Sequence, residues 1–525
     1  MWKCGNSFLR CIFKPIMKLK SWLNGSRILI IAFIISALSH LPFLNLGPRS
    51  VHVWRQANTL AVARNFAQED MDILNPRVDR RLDSNGVTGM QFPSYEYIVA
   101  VGYKLFGIHN WVHRLVSLLI SFWGAFGMFL LAKYLIKNDI AAGFAGLAYL
   151  FSPDLYYFGF SALPDILALA CSVWGLYYFL NWFDSEDSKV RRSEGSKVRG
   201  FGSSDLRTFG LSLLLIVLAG LTKIQFLAIG FFIAPYVLMN AEIAKKRILA
   251  LIFFGITACA IPLLWYRRSV ALIKSSGLED FGITFRPESD WKKGLNTITQ
   301  NLVSDLPDLL LNYASFILFL ISIYFFFKNR FWKSKWFLPM LLWTIALIAY
   351  HIIELAQMNV HSYYMMPYLP VLFLMVAYGV KHFSLKKPNS ALLIILLFIA
   401  PILTGLRIIP SRFTKTNPGI PTELYNSNTR SELINAAPQN ALCIVGPDIS
   451  GCIYFYHIEK KGFGFNDLSE LNQNLGNETR LENYIRRGAT YLYTNDSTAF
   501  HQDEILKHFE LVKNVESFYV FKIKN

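Results

Sequence analysis

The chain has 525 residues, of which 53% are hydrophobic, 15% aromatic and only 17% charged. A soluble domain carries nearer a quarter charged residues, and many separate apolar runs here approach or exceed the ~18 residues that mark a bilayer span, so an ordinary soluble protein is excluded. The formal charge of +17 does not point to nucleic acid, because the bases form no single patch and instead recur in short loops between apolar runs, as membrane topology predicts.

The N-terminus, MWKCGNSFLRCIFKPIMKLKSWLNGSR, is basic and has no small-residue cleavage site, so it predicts an uncleaved first span rather than a signal peptide. Apolar runs centre on 28–47, 112–132, 140–156, 163–183, 208–222, 226–240, 248–266, 308–327, 336–353, 363–380 and 390–409. Basic loops follow every even-numbered run: Lys133 and Lys137, then Lys189 to Arg199, Lys245 to Arg247, Lys328 to Lys335, and Lys381 with Lys386 and Lys387. These loops and the N-terminus are therefore expected in the cytoplasm. The stretch FPSYEYIVAVGYKLFG, 92–107, would invert every later loop if it crossed. It is too short to span and contains Glu96 and Lys104, so it reads as an interfacial or re-entrant helix on the outer side.

The expected architecture is an α-helical polytopic membrane protein of about 11 transmembrane helices with a small C-terminal α/β extracytoplasmic domain. Its divisions are a basic cytoplasmic segment at 1–27, a membrane module at 28–409 with outer loops at 48–111 and 267–307, and the outer domain at 410–525. In that domain ALCIVGPD, CIYFYH, ATYLYTND and SFYVFKI read as strands, and NETRLENYIRRG as a helix. The motif SKVR occurs at 188–191 and again at 196–199, a tolerated insertion in a cytoplasmic loop. Of six cysteines, Cys4 and Cys11 lie in the basic tail and Cys171 and Cys259 in apolar runs, while Cys443 and Cys452 share the late polar region, either paired or as free thiols.

Polar residues at the outer membrane edge are the candidates for chemistry, since an ionisable group there is costly. The first outer loop holds Arg55, Gln56, Asn58 and Arg64, then Asp70, Asp72, Asp79 and Asp83. Asp154 lies in a loop, and Asp165 follows a proline, where it either caps a helix or serves a site. Lys223 occupies a very short outer turn in GLTKIQFL; a span-end lysine often snorkels, but this turn holds the ammonium close to whatever the outer loops cover. His361, Tyr363 and Tyr364 open the tenth span, where an interfacial histidine and an aromatic belt are the alternatives to a binding role.

The ordered motifs WRQANT…ARNF…ILNPRVD, a G-x-x-x-F-P-x-Y-x-Y helix ending LFG, RLVSLL, LPDILAL, GLTK and HSYYMMPYLP resemble the GT-C superfamily of polyprenyl-phosphate-sugar-dependent glycosyltransferases. The nearest branches are the bacterial protein-mannosyltransferase-like (glycosyltransferase family 39-like) and lipopolysaccharide-sugar-transferase-like enzymes, and the resemblance covers essentially 28–409. It implies transfer of a sugar from a lipid-linked phosphosugar to an acceptor hydroxyl at the outer face of the bacterial inner membrane, in cell-envelope glycan or glycolipid assembly. The leaving phosphate needs cations and the hydroxyl a carboxylate. Lys223 matches the family's phosphate-contacting lysine, with Arg55 and His361 as further phosphate contacts and Asn58, Gln91, Tyr363 and Tyr364 as substrate contacts. The first-loop helix would roof the site, with Trp54 and Ala57 toward lipid.

The acidic apparatus departs from the family: an aspartate is expected where Asn58 stands and a glutamate where Gln91 stands. An amide is no base and a poor ligand for a divalent cation, so no metal site is assigned and Asp79, then Asp165, are the acids expected to act. The expected partners are a polyprenyl-phosphate-sugar donor and an acceptor that is a glycolipid, glycan or protein. A lipid-linked-sugar transporter and a degenerate, donor-binding relative are the alternatives; transporters place their binding groups near the membrane midplane, whereas the candidates here lie at the outer edge.

Overall fold

The computed structural model describes residues 24–82, 84–192, 203–279, 281, 286–383 and 389–524. The basic segment before residue 24 with Cys4 and Cys11, Asp83, the second SKVR copy, and Lys386 with Lys387 lie outside the described residues. Helices stand at all the expected apolar runs. Among the described residues seven helices are long and apolar enough to cross a bilayer singly, and an eighth if Trp291–Leu310 and Asn312–Lys328, bent by 116°, form one span. Asp139–Phe151, Ile224–Met239 and Phe337–Ile353 are apolar but shorter. The chain is thus a multi-pass membrane protein. Two boundaries move: the helix expected to end at 266 runs on as Ile248–Ser276, and much of the second outer loop is itself helical, Trp291–Gln300 leading into Asn301–Leu310.

Burial ranks these helices. The apolar window of Asp165–Ser185 is 83% buried and that of Ile248–Ser276 only 22%, so the first is the centre of the bundle and the second its lipid-facing edge. The central helix packs mainly on Ser203–Thr222 and Asn110–Ile136. Close approach depends on small residues, as expected where lipid removes the hydrophobic drive for helices to associate. A Cβ at Gly379 would lie 2.2 Å from the Leu318 carbonyl oxygen, so Asn312–Lys328 and Leu369–Phe383 touch backbone to backbone there. Arg114, in the RLVSLL motif, is a tie rather than a site residue: its guanidinium donates to the carbonyls of Leu46, Gly47 and Phe160. Asp154 is fully buried and paired with Arg412 at 3.1 Å, joining a short helix, Pro153–Phe158, to the end of the last span.

Residues 92–107 form the short helix Ser94–Phe106. Tyr95, Glu96, Val99 and Tyr103 turn into the protein while Ile98, Val101, Leu105 and Phe106 are exposed, an arrangement suited to lying at the bilayer edge.

The C-terminal part is α/β. Its main sheet has the order β2-β1-β5-β7-β6, with β1 (Leu442–Val445), β2 (Lys461–Gly464), β5 (Ala489–Thr494), β6 (Phe509–Val515) and β7 (Phe518–Ile523); β3 (Asn474–Leu475) and β4 (Glu478–Thr479) make a separate hairpin. β1 is parallel to both its neighbours, and β7 is antiparallel to β5 and β6. The helix expected in NETRLENYIRRG is Arg480–Arg486, begun by a reciprocal Thr479–Glu482 capping box. One expected strand is instead a helix: CIYFYH folds as Ile453–Ile458, with all six residues buried. A continuous apolar run carries no period that separates a buried strand from a buried helix. Cys443 and Cys452 are not paired with each other, and the Cys452 thiol donates to the Trp54 carbonyl.

The first-loop helix, Val53–Gln68, is buried from Val53 to Phe66 except at Trp54. It is clasped between Ser94–Phe106 and Ile453–Ile458, so Ala57 is fully buried and the expected lipid-facing side does not exist. The chain after it then docks on the sheet edge. Arg80 bridges Gly462 in parallel, the Gly462 amide donates to the Asp79 carbonyl, and the Arg81 amide donates to the Gly462 carbonyl. Gly462 has φ 143° and a Cβ there would meet the Cys443 carbonyl at 2.2 Å, so this position requires glycine. Beneath the bridge, Arg64 donates to Asp79 Oδ2 at 2.6 Å and to the Tyr456 carbonyl, and Asn65 donates to Asp79 Oδ1 at 3.0 Å.

The Arg64 and Asp79 side chains are 3% and 1% exposed, so removing one partner strands a buried charge. Arg64→Ala should therefore destabilise the protein by about 3–5 kcal/mol. Thermal unfolding of the purified protein in detergent measures this, and the Arg64→Met, Asp79→Leu double variant should recover most of the loss.

Candidate active site

A cavity of about 460 Å³ opens where the first-loop helix, the Thr222–Ile224 break and the ends of two spans meet. Lys223 sits at the break. Its backbone is extended (φ −155°, ψ 112°) between the Ser203–Thr222 helix and the 3-10 turn Ile224–Ile229, which throws the side chain toward the bundle. Its Nζ lies 3.6 Å from Asp165 Oδ1, and 5.6 Å and 6.0 Å from the ring centres of Tyr364 and Tyr363. Asp165 begins its helix, yet its carboxylate oxygens accept no hydrogen bond from helix amides. The Asp165 carboxylate thus faces the Lys223 ammonium rather than capping the helix that it begins.

Arg55 approaches from the first-loop helix. Its guanidinium donates to Gln91 Oε1 at 2.8 Å and lies over the Phe281 ring. Gln91 in turn donates to Glu96 Oε1 at 3.0 Å. The amide at 91 is therefore a relay, and the negative charge absent there comes from Glu96 in the next helix, which is fully buried. Burial raises the Glu96 carboxyl to about 7, against the pull of Arg55, so this group titrates near neutrality.

His361 completes the wall. Its Nδ1 stands 3.2 Å from Nδ1 of His52, so one ring donates to the other. Burial and the nearby cations hold His361 down at about 4 and His52 at about 3, so both are neutral at physiological pH. His52 starts the first-loop helix at φ 51°, in the left-handed region, backbone strain of the kind that collects at functional sites.

The predicted residues are not all together. Arg55, Gln91, Lys223, His361, Tyr363 and Tyr364 line the cavity, and Asp165 backs Lys223. Asn58 is buried with no hydrogen bond to its side-chain oxygen, and it does not line the cavity. Asp79 is held by Arg64 and Asn65 beneath the C-terminal sheet, where it ties the loop down and is shut off from the cavity. Trp54, expected toward lipid, also lines the cavity. Two charged residues that no sequence motif marks join it, Arg286 and Glu354. Gln357, with its amide oriented to satisfy both neighbours, links Arg286 to His361 Nε2 at 3.3 Å. Glu354 is nearly buried, and burial raises its carboxyl while Lys223 and Arg286 oppose the rise. Arg286 lies in a loop and Glu354 at the end of Phe337–Ile353, where a charge at a helix end looks like any interfacial residue.

Among the described residues, the three that bring ligand atoms together are Glu482, Glu504 and His508, in the C-terminal part. At the cavity, the Gln91 amide is committed to Arg55 and Glu96.

Residues 91–190 match the family described as dolichyl-phosphate-mannose-protein mannosyltransferase. No curated protein matches the chain in sequence. Among solved structures, ArnT from Cupriavidus metallidurans in the apo state superposes with a TM-score of 0.60 at 12% identity, covering 96% of this chain and 98% of that one. The same protein bound to undecaprenyl phosphate gives 0.60 and 12%, over 94% and 97%. The archaeal oligosaccharyltransferase AglB from Archaeoglobus fulgidus, in complex with an inhibitory peptide and a dolichol-phosphate, gives 0.54 and 13%, over 92% of this chain and 70% of that one. The chain thus shares the fold of ArnT along its length, and the family match falls on the segment that carries Gln91, Glu96 and Asp165.

Proposed function

We propose that this protein moves a sugar from a polyprenyl-phosphate donor to an acceptor hydroxyl at the outer face of a bacterial inner membrane, in assembly of a cell-envelope glycan or glycolipid. The observation that carries the proposal is the convergence of Lys223, Arg55 and Arg286 with one carboxylate, Glu354, in a cavity walled by Tyr266, Tyr350 and Tyr364. Three cations suit a phosphodiester that leaves as a phosphate monoester, because the developing negative charge meets fixed positive charge in a poorly hydrated site. The polyprenyl-phosphate ligands of the ArnT and AglB structures agree with this reading.

In this mechanism the acceptor oxygen attacks the anomeric carbon. The bond from that carbon to the phosphate oxygen breaks, the electron pair leaves with the polyprenyl phosphate, and the hydroxyl proton passes to Glu354. Glu354 takes the role of base in place of Asp79 because its carboxylate faces the cavity, and a base must reach the proton it removes. Asp165 positions the Lys223 ammonium. The neutral His361 and His52 pair orients Gln357 and, through it, Arg286.

Transfer of radiolabelled sugar from a panel of polyprenyl-phosphate sugars, in membranes with matched expression, tests the assignment. Lys223→Ala should lower kcat/KM by about 10²-fold or more, and Glu354→Gln should lower kcat by about 10²-fold or more with donor binding retained. Asp79→Asn should lower stability and spare the turnover of the protein that remains folded. Donor that changes leaflet without sugar transfer would establish a transporter instead.

Glu96 supplies a pH signature. Its carboxyl is raised to about 7, so it is neutral below that pH and adds a negative charge near Arg55 above it. The donor phosphodiester does not titrate in this range. Donor KM should rise severalfold between about pH 6 and pH 8, and Glu96→Gln should hold it at the low-pH value throughout.

A further inference from the structure

Phe337–Ile353 and Leu369–Phe383 both run from the Lys223 cavity to a second one at their other ends. Tyr350 and Tyr364 mark the first cavity, and Trp336, Met340, Tyr378 and Lys381 mark the second. Seventeen helical residues cover ~25 Å, so the second cavity, of about 520 Å³, lies at the opposite membrane face. Lys137, Arg330, Lys333, Lys335 and Lys381 line it, and among the described residues no carboxylate does. Arg330, Lys333, Lys335 and Lys137 are exposed.

Beneath these cations the cavity is apolar. Trp336 stacks on Phe232 and Tyr236, Phe331 meets Tyr378 edge to face, and Leu374 and Met375 extend the surface along a span. A basic rim over an apolar wall reaching into the bilayer is matched to an amphiphile with an anionic head. We propose that this cavity binds an anionic glycerophospholipid, its phosphodiester headgroup against Arg330, Lys333 and Lys335 and its acyl chains along Leu374 and Met375.

The rule that loops on the cytoplasmic face are basic accounts for the sign of these residues but not for their convergence. The Lys245–Arg247 loop shows the contrast, for there Lys245 pairs with Glu242 at 3.0 Å and neither Lys245 nor Lys246 lines this cavity. Two of the cavity's cations also occupy left-handed turns, Lys137 at φ 54° and Arg330 at φ 51°. Glycine or asparagine would hold such turns with less strain, so both positions keep a cation against local preference. Basic pockets between spans on this face commonly take anionic headgroups.

Native mass spectrometry of the full chain, titrated with phosphatidylglycerol or phosphatidylcholine, tests the proposal. Wild type should retain phosphatidylglycerol with at least about tenfold preference. The Arg330→Gln, Lys333→Gln, Lys335→Gln triple variant should lose that preference with its Tm unchanged. Lys245→Gln with Lys246→Gln, and the charge-preserving Lys333→Arg with Lys335→Arg, should keep it. A preference unchanged in the triple variant, or lost equally in the Lys245, Lys246 control, would overturn the assignment to this cavity. Displacement of phosphatidylglycerol by millimolar inorganic phosphate would overturn the lipid in favour of a soluble anion.

Discussion

A lysine ammonium at the edge of a hydrocarbon slab is stable only with a countercharge or a path to water, and the organisation of this protein depends on how Lys223 is satisfied. Its partner, Asp165, begins the most deeply buried span. The central helix of the bundle and the cavity are thereby fixed to each other by an ion pair. Replacing the cap of a helix with a salt bridge gives up local stability at that helix end, and it is the bundle packed around Asp165–Ser185 that holds the arrangement in place.

The second organising contact is the clasp on the first-loop helix. A short amphipathic helix at a membrane surface would be free to roll. Here Ser94–Phe106 covers one side and Ile453–Ile458 the other, and the Arg64–Asp79 pair with the Gly462 bridge locks the loop C-terminal to the helix. Arg55 is thus delivered to the cavity by a rigid element. The α/β part, which contributes nothing to the cavity lining, acts on the site through that rigidity.

Much of this was legible in the sequence, because apolar run length and loop charge are read directly. The apolar helices and the short helix at Ser94–Phe106 rest on such signals, whereas the expectation that placed Arg55, Lys223 and His361 near one another, where they line one cavity, came from the family resemblance of their motifs. What escaped was set by tertiary packing. Asp79 reads as a free acid in an outer loop until Arg64 and the sheet edge close over it. Gln91 reads as a lost carboxylate until Glu96, five residues on, is seen behind it. Arg286 and Glu354 sit in a loop and at a helix end, where charge is ordinary, and only the folded chain brings them to Lys223. CIYFYH shows the same limit in secondary structure, since a fully buried apolar run gives neither a helical nor a strand period.

The order in which the cavity's parts leave the ribosome has a consequence for biogenesis. Arg55 emerges early, Lys223 midway, and Glu354, His361 and Tyr364 only after the ninth apolar run. Gly462, which docks the first outer loop, comes later still. During insertion the first-loop helix therefore waits without its second clasp, with Arg64 unpaired to the sheet side and the cavity incomplete. A chain that has reached Tyr364 but not Gly462 would hold every cavity-lining residue without the brace that fixes Arg55 against the others.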